Sequence, residues 1–167
     1  MKLKRKGLTL LELMIAVAII GIISAIASSS LMGLIKKSKK SEISHMVNGI
    51  YVCEADYSID SQKFHITSVV PAGSFNPANL DGNRIPGSQQ EFKEDTEGFA
   101  IIGFVPDQDV YSGFKVDATD VTSMAYIKVM QDLDDDDTIA VYSQRIKRNK
   151  ETGDAYKFSD LVISVED

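Results

Sequence analysis

Between residues 13 and 35 the chain carries no charged side chain, and directly ahead of this run stands a lone carboxylate, Glu12. At roughly 1.5 Å per helical residue the run spans about 30 Å or slightly more, the thickness of a bilayer's hydrocarbon layer. Few folded states accept such a segment: a helix that crosses a membrane, or a helix buried against other apolar helices. Lys2, Lys4, Arg5 and Lys6 precede it and Lys36, Lys37, Lys39 and Lys40 follow it, so the positive-inside rule gives no orientation. A carboxylate in the hydrocarbon costs a few kcal/mol, less near the end of a span, and therefore marks a function by default. Its natural partner is a cation. The plainer reading is that Glu12 marks the membrane edge and reaches the headgroups.

The order of residues narrows the choice: a basic leader, Gly7, Leu8, Thr9, two leucines, Glu12, then the apolar run. This N-terminus resembles the type IV pilins and the pseudopilins of type II secretion. The resemblance covers about the first 30 residues. It implies cleavage by prepilin peptidase between Gly7 and Leu8, N-methylation of Leu8, and an assembly role for Thr9 and Glu12. Cleavage would create an α-amino group on Leu8, four residues before Glu12; the resemblance implies that this amine meets the Glu12 of a neighbouring copy. Leu8 stands where the family commonly has Phe, and Ser29 where many type IVa pilins carry a helix-loosening Pro. A competing reading is an ordinary secretory signal with Ala25-Ile26-Ala27 as its cleavage site, but apolar residues resume at Leu31, Met32, Leu34 and Ile35. Small residues such as Ala18, Gly21, Ala25 and Ser28 recur within the run and let helix backbones approach closely. Residues 28–33, with three serines and Gly33, form its softest part.

Beyond the lysines, Ile43, Met46, Val47 and Ile50 recur at three- and four-residue intervals, followed by Tyr57, while Ser41, Glu42, Ser44, Asn48 and Glu54 take other faces. One helix is therefore expected from Leu8 to about Ser61, bare in its first half and amphipathic in its second, with Gly49 as a soft spot. Residues 70–98 are punctuated by Pro and Gly and read as a long surface connection, in which Asn83, Arg84 and Gln89 are solvated polar residues. The resemblance makes this connection a variable, subunit-contacting surface. Strand-like runs follow at 99–105, 110–116, 121–130, 138–146 and 156–165, with Phe114, Val116, Met124, Tyr126 and Ile127 as core contributors. The expected class is α+β: a long helix whose C-terminal half packs on an antiparallel sheet of about four strands, the lollipop that the resemblance also implies. The segments are a leader (1–7), a membrane or filament-core helix (8–35), its amphipathic continuation (36–62), a connection (63–98) and a sheet head (99–167).

The run DLDDDDT, residues 132–138, sets five carboxylates within six residues. Asp132, Asp134 and Asp136 have the alternate spacing of calcium ligands, but Asp137 stands where an EF-hand needs Gly and Ser143 where it needs Glu. Some pseudopilins carry a calcium-binding acidic loop at such a place; the alternative is an exposed acidic hairpin turn between Val129 and Ile139. Cys53 is the single cysteine, which excludes an internal disulfide, and with two histidines no zinc spacing exists. Cys53 and Met46 read as core fillers. The 18 basic residues fall to 14 when the leader's four are removed, against 24 acidic ones, a net charge of about −10. Bare nucleic acid is therefore not an expected partner, unless Arg145, Lys147, Arg148 and Lys150 form a patch; pairing with acidic groups within or between subunits is favoured. No nucleophile elbow, phosphate-binding loop or zinc-protease motif is present, so no enzyme is expected. The expected partners are copies of the chain itself, prepilin peptidase and an inner-membrane assembly platform. The expected location is the inner membrane, then an extracellular pilus or a periplasmic pseudopilus. A membrane-anchored or secreted binding domain is the remaining alternative.

Overall fold

A computed structural model describes residues 9–67, 75–77, 88–92, 98–133 and 139–165. Its first element is a single helix, α1 (Leu10–Ser61), of 52 residues. The chain divides into two compact units, residues 1–38 and 39–167. In the first unit every large apolar side chain described between residues 10 and 35 is exposed, from Leu10 at 78% to Ile35 at 43%. Apolar residues are spread around the whole helix here, so no single face can hide them. The helix is long and apolar enough to cross a membrane, and it runs without a break through residues 28–33.

In the second unit the expected helical stripe is buried: Ile43, Met46, Val47 and Ile50 lie within the core. The stripe then continues at Glu54 and Ser58, both fully buried. Glu54 is thus not on a solvated face; it stands one turn beyond Ile50, where the helical period carries it inward whatever its polarity. Gly49 is required by packing: a Cβ there would meet the Phe104 ring at 2.9 Å.

The sheet is antiparallel and has five strands, β1 (Gly113–Asp120), β2 (Met124–Gln131), β3 (Ala140–Arg148), β4 (Ala155–Lys157) and β5 (Val162–Val165). They are ordered β1-β2-β3-β4, with β5 pairing on β3 as well. The register sets Ile127 opposite Gln144 and Val116 opposite Ile127. Alternation along the strands turns Phe114, Val116, Ala125, Ile127, Val129, Tyr142 and Ile146 into the core. Met124 and Tyr126, expected in the core, share the opposite face and are half-buried; the period of two admits Ala125 and Ile127 inward and excludes their neighbours.

Three expected strands are redrawn. Residues 99–105 contain a short 3-10 helix, Phe99–Ile102, instead of a strand. Phe99 and Ile102 are buried and Ile101 is exposed, a spacing of three rather than two. Gly103, with φ +73°, ends it; the Gly103 and Phe104 amides donate to Ala100 and Phe99 carbonyls at 3.0 Å each. Phe92, Phe99 and Phe104 then meet with ring centroids 5.2 to 5.9 Å apart. The strand expected at 110–116 begins only at Gly113, and Val110 makes an isolated bridge with Gln90. The run 156–165 splits into β4 and β5, because Ser159 replaces ladder bonds between them: its hydroxyl accepts from the Arg145 amide at 3.2 Å and its carbonyl from Gln144 Nε2 at 3.2 Å.

Side chains tie the end of the helix to the sheet. Tyr51 donates its hydroxyl to the Ala155 carbonyl at 3.0 Å. Lys157 bonds Asn48, and Arg148 bonds Gln62. After the helix, the Phe64 amide donates to the Val121 carbonyl at 2.7 Å, and Thr67 exchanges bonds with Val116 along β1.

Candidate functional site

Helix α1 opens on Thr9-Leu10-Leu11-Glu12, and the two polar residues close on each other. Thr9 donates its backbone N–H and its hydroxyl to Glu12 Oε2, both at 2.9 Å. The Glu12 amide donates back to Thr9 Oγ1 at 3.2 Å. This is a capping box, in which the N-cap hydroxyl and the carboxylate three residues on satisfy amides that a helix start leaves free. The Ser/Thr-x-x-Glu signal is present in the sequence at Thr9 and Glu12. Glu12 is also the acidic residue of the first turn, where the helix dipole favours negative charge.

The box gives Glu12 a direction. Its carboxylate is bent back toward Thr9 at the helix start. Oε2 is occupied by Thr9, whereas Oε1 accepts no hydrogen bond from a described residue. One oxygen holds the geometry and the other is available. Gly7 and Leu8, the expected cleavage and methylation positions, lie outside the described residues.

Residues 2–28 match the family model described as the prokaryotic N-terminal methylation motif. This chain carries the class III signal peptide of type IV pilin-like proteins. No curated protein and no solved structure matches it. The methylation motif ends within the apolar run, so the pilin-like character is carried by the first 28 residues and by the α+β layout of one long helix followed by an antiparallel sheet. That signal implies processing by prepilin peptidase and assembly into a filament, and the apolar helix fits a membrane-anchored precursor. Type IV pilin-like proteins are structural rather than catalytic.

The unit beyond residue 38 holds two carboxyls that sequence periodicity assigned to solvent. Glu54 is fully buried and accepts the His65 amide at 3.0 Å with Oε2, while Oε1 has no hydrogen-bond partner among the described residues. Burial pushes this carboxyl up to about 8, against the pull of the His65 bond. Glu42 accepts the Tyr111 amide with both oxygens at 3.1 Å. Burial raises it from the ordinary carboxylate value, with hydrogen bonds from Tyr111 and Ser112 opposing. Neither position differs in residue type from a solvated glutamate, so only the three-dimensional packing distinguishes them.

At the other end of the head, Gln131, Asp132 and Leu133 are buried, so Asp132 is not part of an exposed turn. Gln131 Nε2 donates to Ser112 Oγ at 2.8 Å in this interior. Asp134 and Asp136 lie outside the described residues. Among the described residues no three His, Cys, Asp or Glu side chains gather in a metal-binding cluster, and the calcium reading rests on the composition of the run. The basic run is divided by strand alternation: Arg148 is buried, while Arg145 and Lys147 share the outward face.

Proposed function

We propose that the chain is the structural subunit of a type IV pilus-like filament, cut between Gly7 and Leu8, N-methylated on Leu8 and assembled through bundled N-terminal helices. The observation that carries this reading is the match of residues 2–28 to the methylation motif. The closed Thr9–Glu12 box supports it. A cleaved Leu8 amine lies at the positive end of its own helix dipole, where a cation is unfavourable. The open Oε1 of a neighbour's Glu12 relieves that charge and selects one stagger between helices, because a desolvated charge strongly prefers the register that neutralises it. Burial of the bare apolar half-helix against its copies supplies the driving force.

A pseudopilin of a secretion or competence machine is the second reading, favoured by the acidic run at 132–138. Calcium bound by Asp132, Asp134 and Asp136 belongs with it; calorimetric titration of the full chain in detergent tests that site, and no heat at millimolar calcium removes it. The filament reading is tested by Glu12→Ala. The variant should be cleaved and methylated normally, as read by intact mass, yet yield few fibres in sheared material. Fibres as abundant as the parent's would refute the role given to Glu12.

A further inference from the structure

In the second unit, α1 and the segment 104–111 wall a cleft of about 480 Å³. Its floor is apolar: Met46 and Phe104 belong to the core, and Val105 is half exposed. Its rim is acidic, with Glu42 on the helix and the exposed Asp107 and Asp109 on the segment. The wall opposite the helix is held in place. Val110 and Gln90 exchange backbone bonds of 2.8 and 2.9 Å, Gln89 Nε2 donates to the Asp109 carbonyl at 3.2 Å, and Glu42 fixes the Tyr111 amide. A cleft set in this way needs little ordering to receive a ligand. Among the described residues, the chain's own cations at its edge are His45 and Lys39, whose Nζ lies 4.6 Å from the Tyr111 centroid. Three carboxylates against one lysine and one histidine leave the rim negative. A side chain with an apolar stem and a cationic head suits such a cleft.

Helix α1 carries the complement on its other side. At about 100° per residue, Lys40 lies roughly 170° around the helix from the centre of the face formed by Glu42, His45, Met46 and Gly49. Lys37, one turn earlier, shares the side of Lys40. Neither lysine makes an ion pair with a described residue, and no acidic residue stands three or four positions from either along the helix. The body of the helix separates Lys40 from the cleft of its own chain. When the apolar runs of neighbouring copies lie side by side, the lysines that follow each run converge, and like charges so placed oppose assembly. The cleft begins two residues beyond Lys40, so the same packing brings a neighbour's cleft within about two turns of it.

We propose that the cleft between α1 and residues 104–111 receives Lys40, flanked by Lys37, from a second copy of this chain. The inference rests on the filament reading above, in which bundled helices hold the clefts and lysines of neighbouring copies at high local concentration. Because the two surfaces differ and lie on opposite sides of one helix, the contact is heterologous: each copy gives a lysine to one neighbour and takes one from another, so it repeats along a helical assembly instead of closing a dimer. The ion pairs with Asp107 and Asp109 contribute register and specificity more than affinity, and salt screens them at the exposed rim.

Disulfide trapping tests the contact. The full-length chain with Cys53→Ser, Lys40→Cys and Asp107→Cys, oxidised in membranes and in sheared filaments, should give a covalent ladder beyond dimer. Chains carrying either new cysteine alone should not. A ladder no stronger than theirs overturns the proposal. Separately, Asp107→Lys with Asp109→Lys should lower filament yield roughly tenfold, and adding Lys37→Glu and Lys40→Glu should restore it; restoration also shows that the first variant folds. A yield equal to the parent's, or one that the added glutamates do not restore, overturns the docking while leaving the filament reading intact. Fibres from Glu12→Ala at parental yield overturn the filament reading, and trapping in membranes still decides the docking. Saturable binding of spermidine that Asp107→Lys abolishes, with no ladder, assigns the cleft to a free polycation and overturns the proposal.

Discussion

Helix α1 is one continuous element with two halves that obey different rules. Before Ser38 its described apolar side chains point in all directions and are exposed; from Lys39 they collapse to one stripe, and that stripe is buried. The backbone is the same, and only the distribution of apolar residues differs. A helix apolar on every face is complete only within a lipid layer or a bundle of its own kind, whereas an amphipathic one is completed by its own sheet. The two halves therefore carry separate consequences: changes in the second are felt in the stability of each molecule, changes in the first only when molecules meet.

The contrast breaks first at the core. Phe114→Ala, at a fully buried ring, should cost the head about 3–5 kcal/mol, whereas Ile19→Ala should leave the unfolding of the detergent-solubilised chain unchanged and lower filament yield; urea melts followed by tyrosine near-UV dichroism read both. The next effect is of pH. The folded Glu54 keeps to about pH 8 a proton that the unfolded chain releases near its ordinary value of 4.5, so between those values stability should fall as pH rises, by up to about 1.4 kcal/mol per unit, then level off. Glu42 acts in the same direction. Asp117 and Asp120 act oppositely: Lys128 lowers the first, and Ser123 and Thr122 hold the second at about 2. Their contribution is present above the ordinary Asp value and is lost as pH falls toward the lowered ones. Optimal stability is therefore expected near pH 4.5, and Glu54→Gln should flatten the fall above it.

Smaller effects sharpen the same boundary. Gly49→Val should destabilise the head by about 1–3 kcal/mol, since its Cβ meets Phe104. Gly21→Val, with nothing within 4 Å of its Cβ, should be silent in the solubilised monomer and visible only in assembly. Thr9→Ala should remove about 1 kcal/mol from the helix start and, by freeing Glu12, reduce filament yield less than Glu12→Ala does. Lys128→Ala should change stability by no more than about 1 kcal/mol, as its pair with Asp117 is only partly buried and remains open to solvent.

The helix was legible almost to the residue because its signals are local: the uncharged run, the three-and-four spacing of Ile43, Val47 and Ile50, and Ser61 before the irregular segment. The hairpin of β2 and β3 was legible for the same reason. The error at residues 99–105 arose because FAIIGFV is apolar throughout, and a run of that kind fits a strand or a turn of helix equally well until Gly103 and the Phe92 and Phe104 rings decide it. Splitting of the final strand was invisible because Ser159 stands in for the ladder through its side chain. At the candidate site, the resemblance of the N-terminus and the place of Glu12 ahead of the uncharged run drew attention to Thr9 and Glu12, but their mutual hydrogen bonds emerged only from the geometry of the helix start.

By itself the sequence determined that this chain begins as an apolar rod with a single carboxylate at its edge, since hydrophobicity and charge are properties of residues read one at a time. Tertiary structure alone decided that Glu54 is enclosed and that Arg145 and Arg148 part company across a strand. Burial and distance depend on which distant segments meet, and no residue carries that information alone.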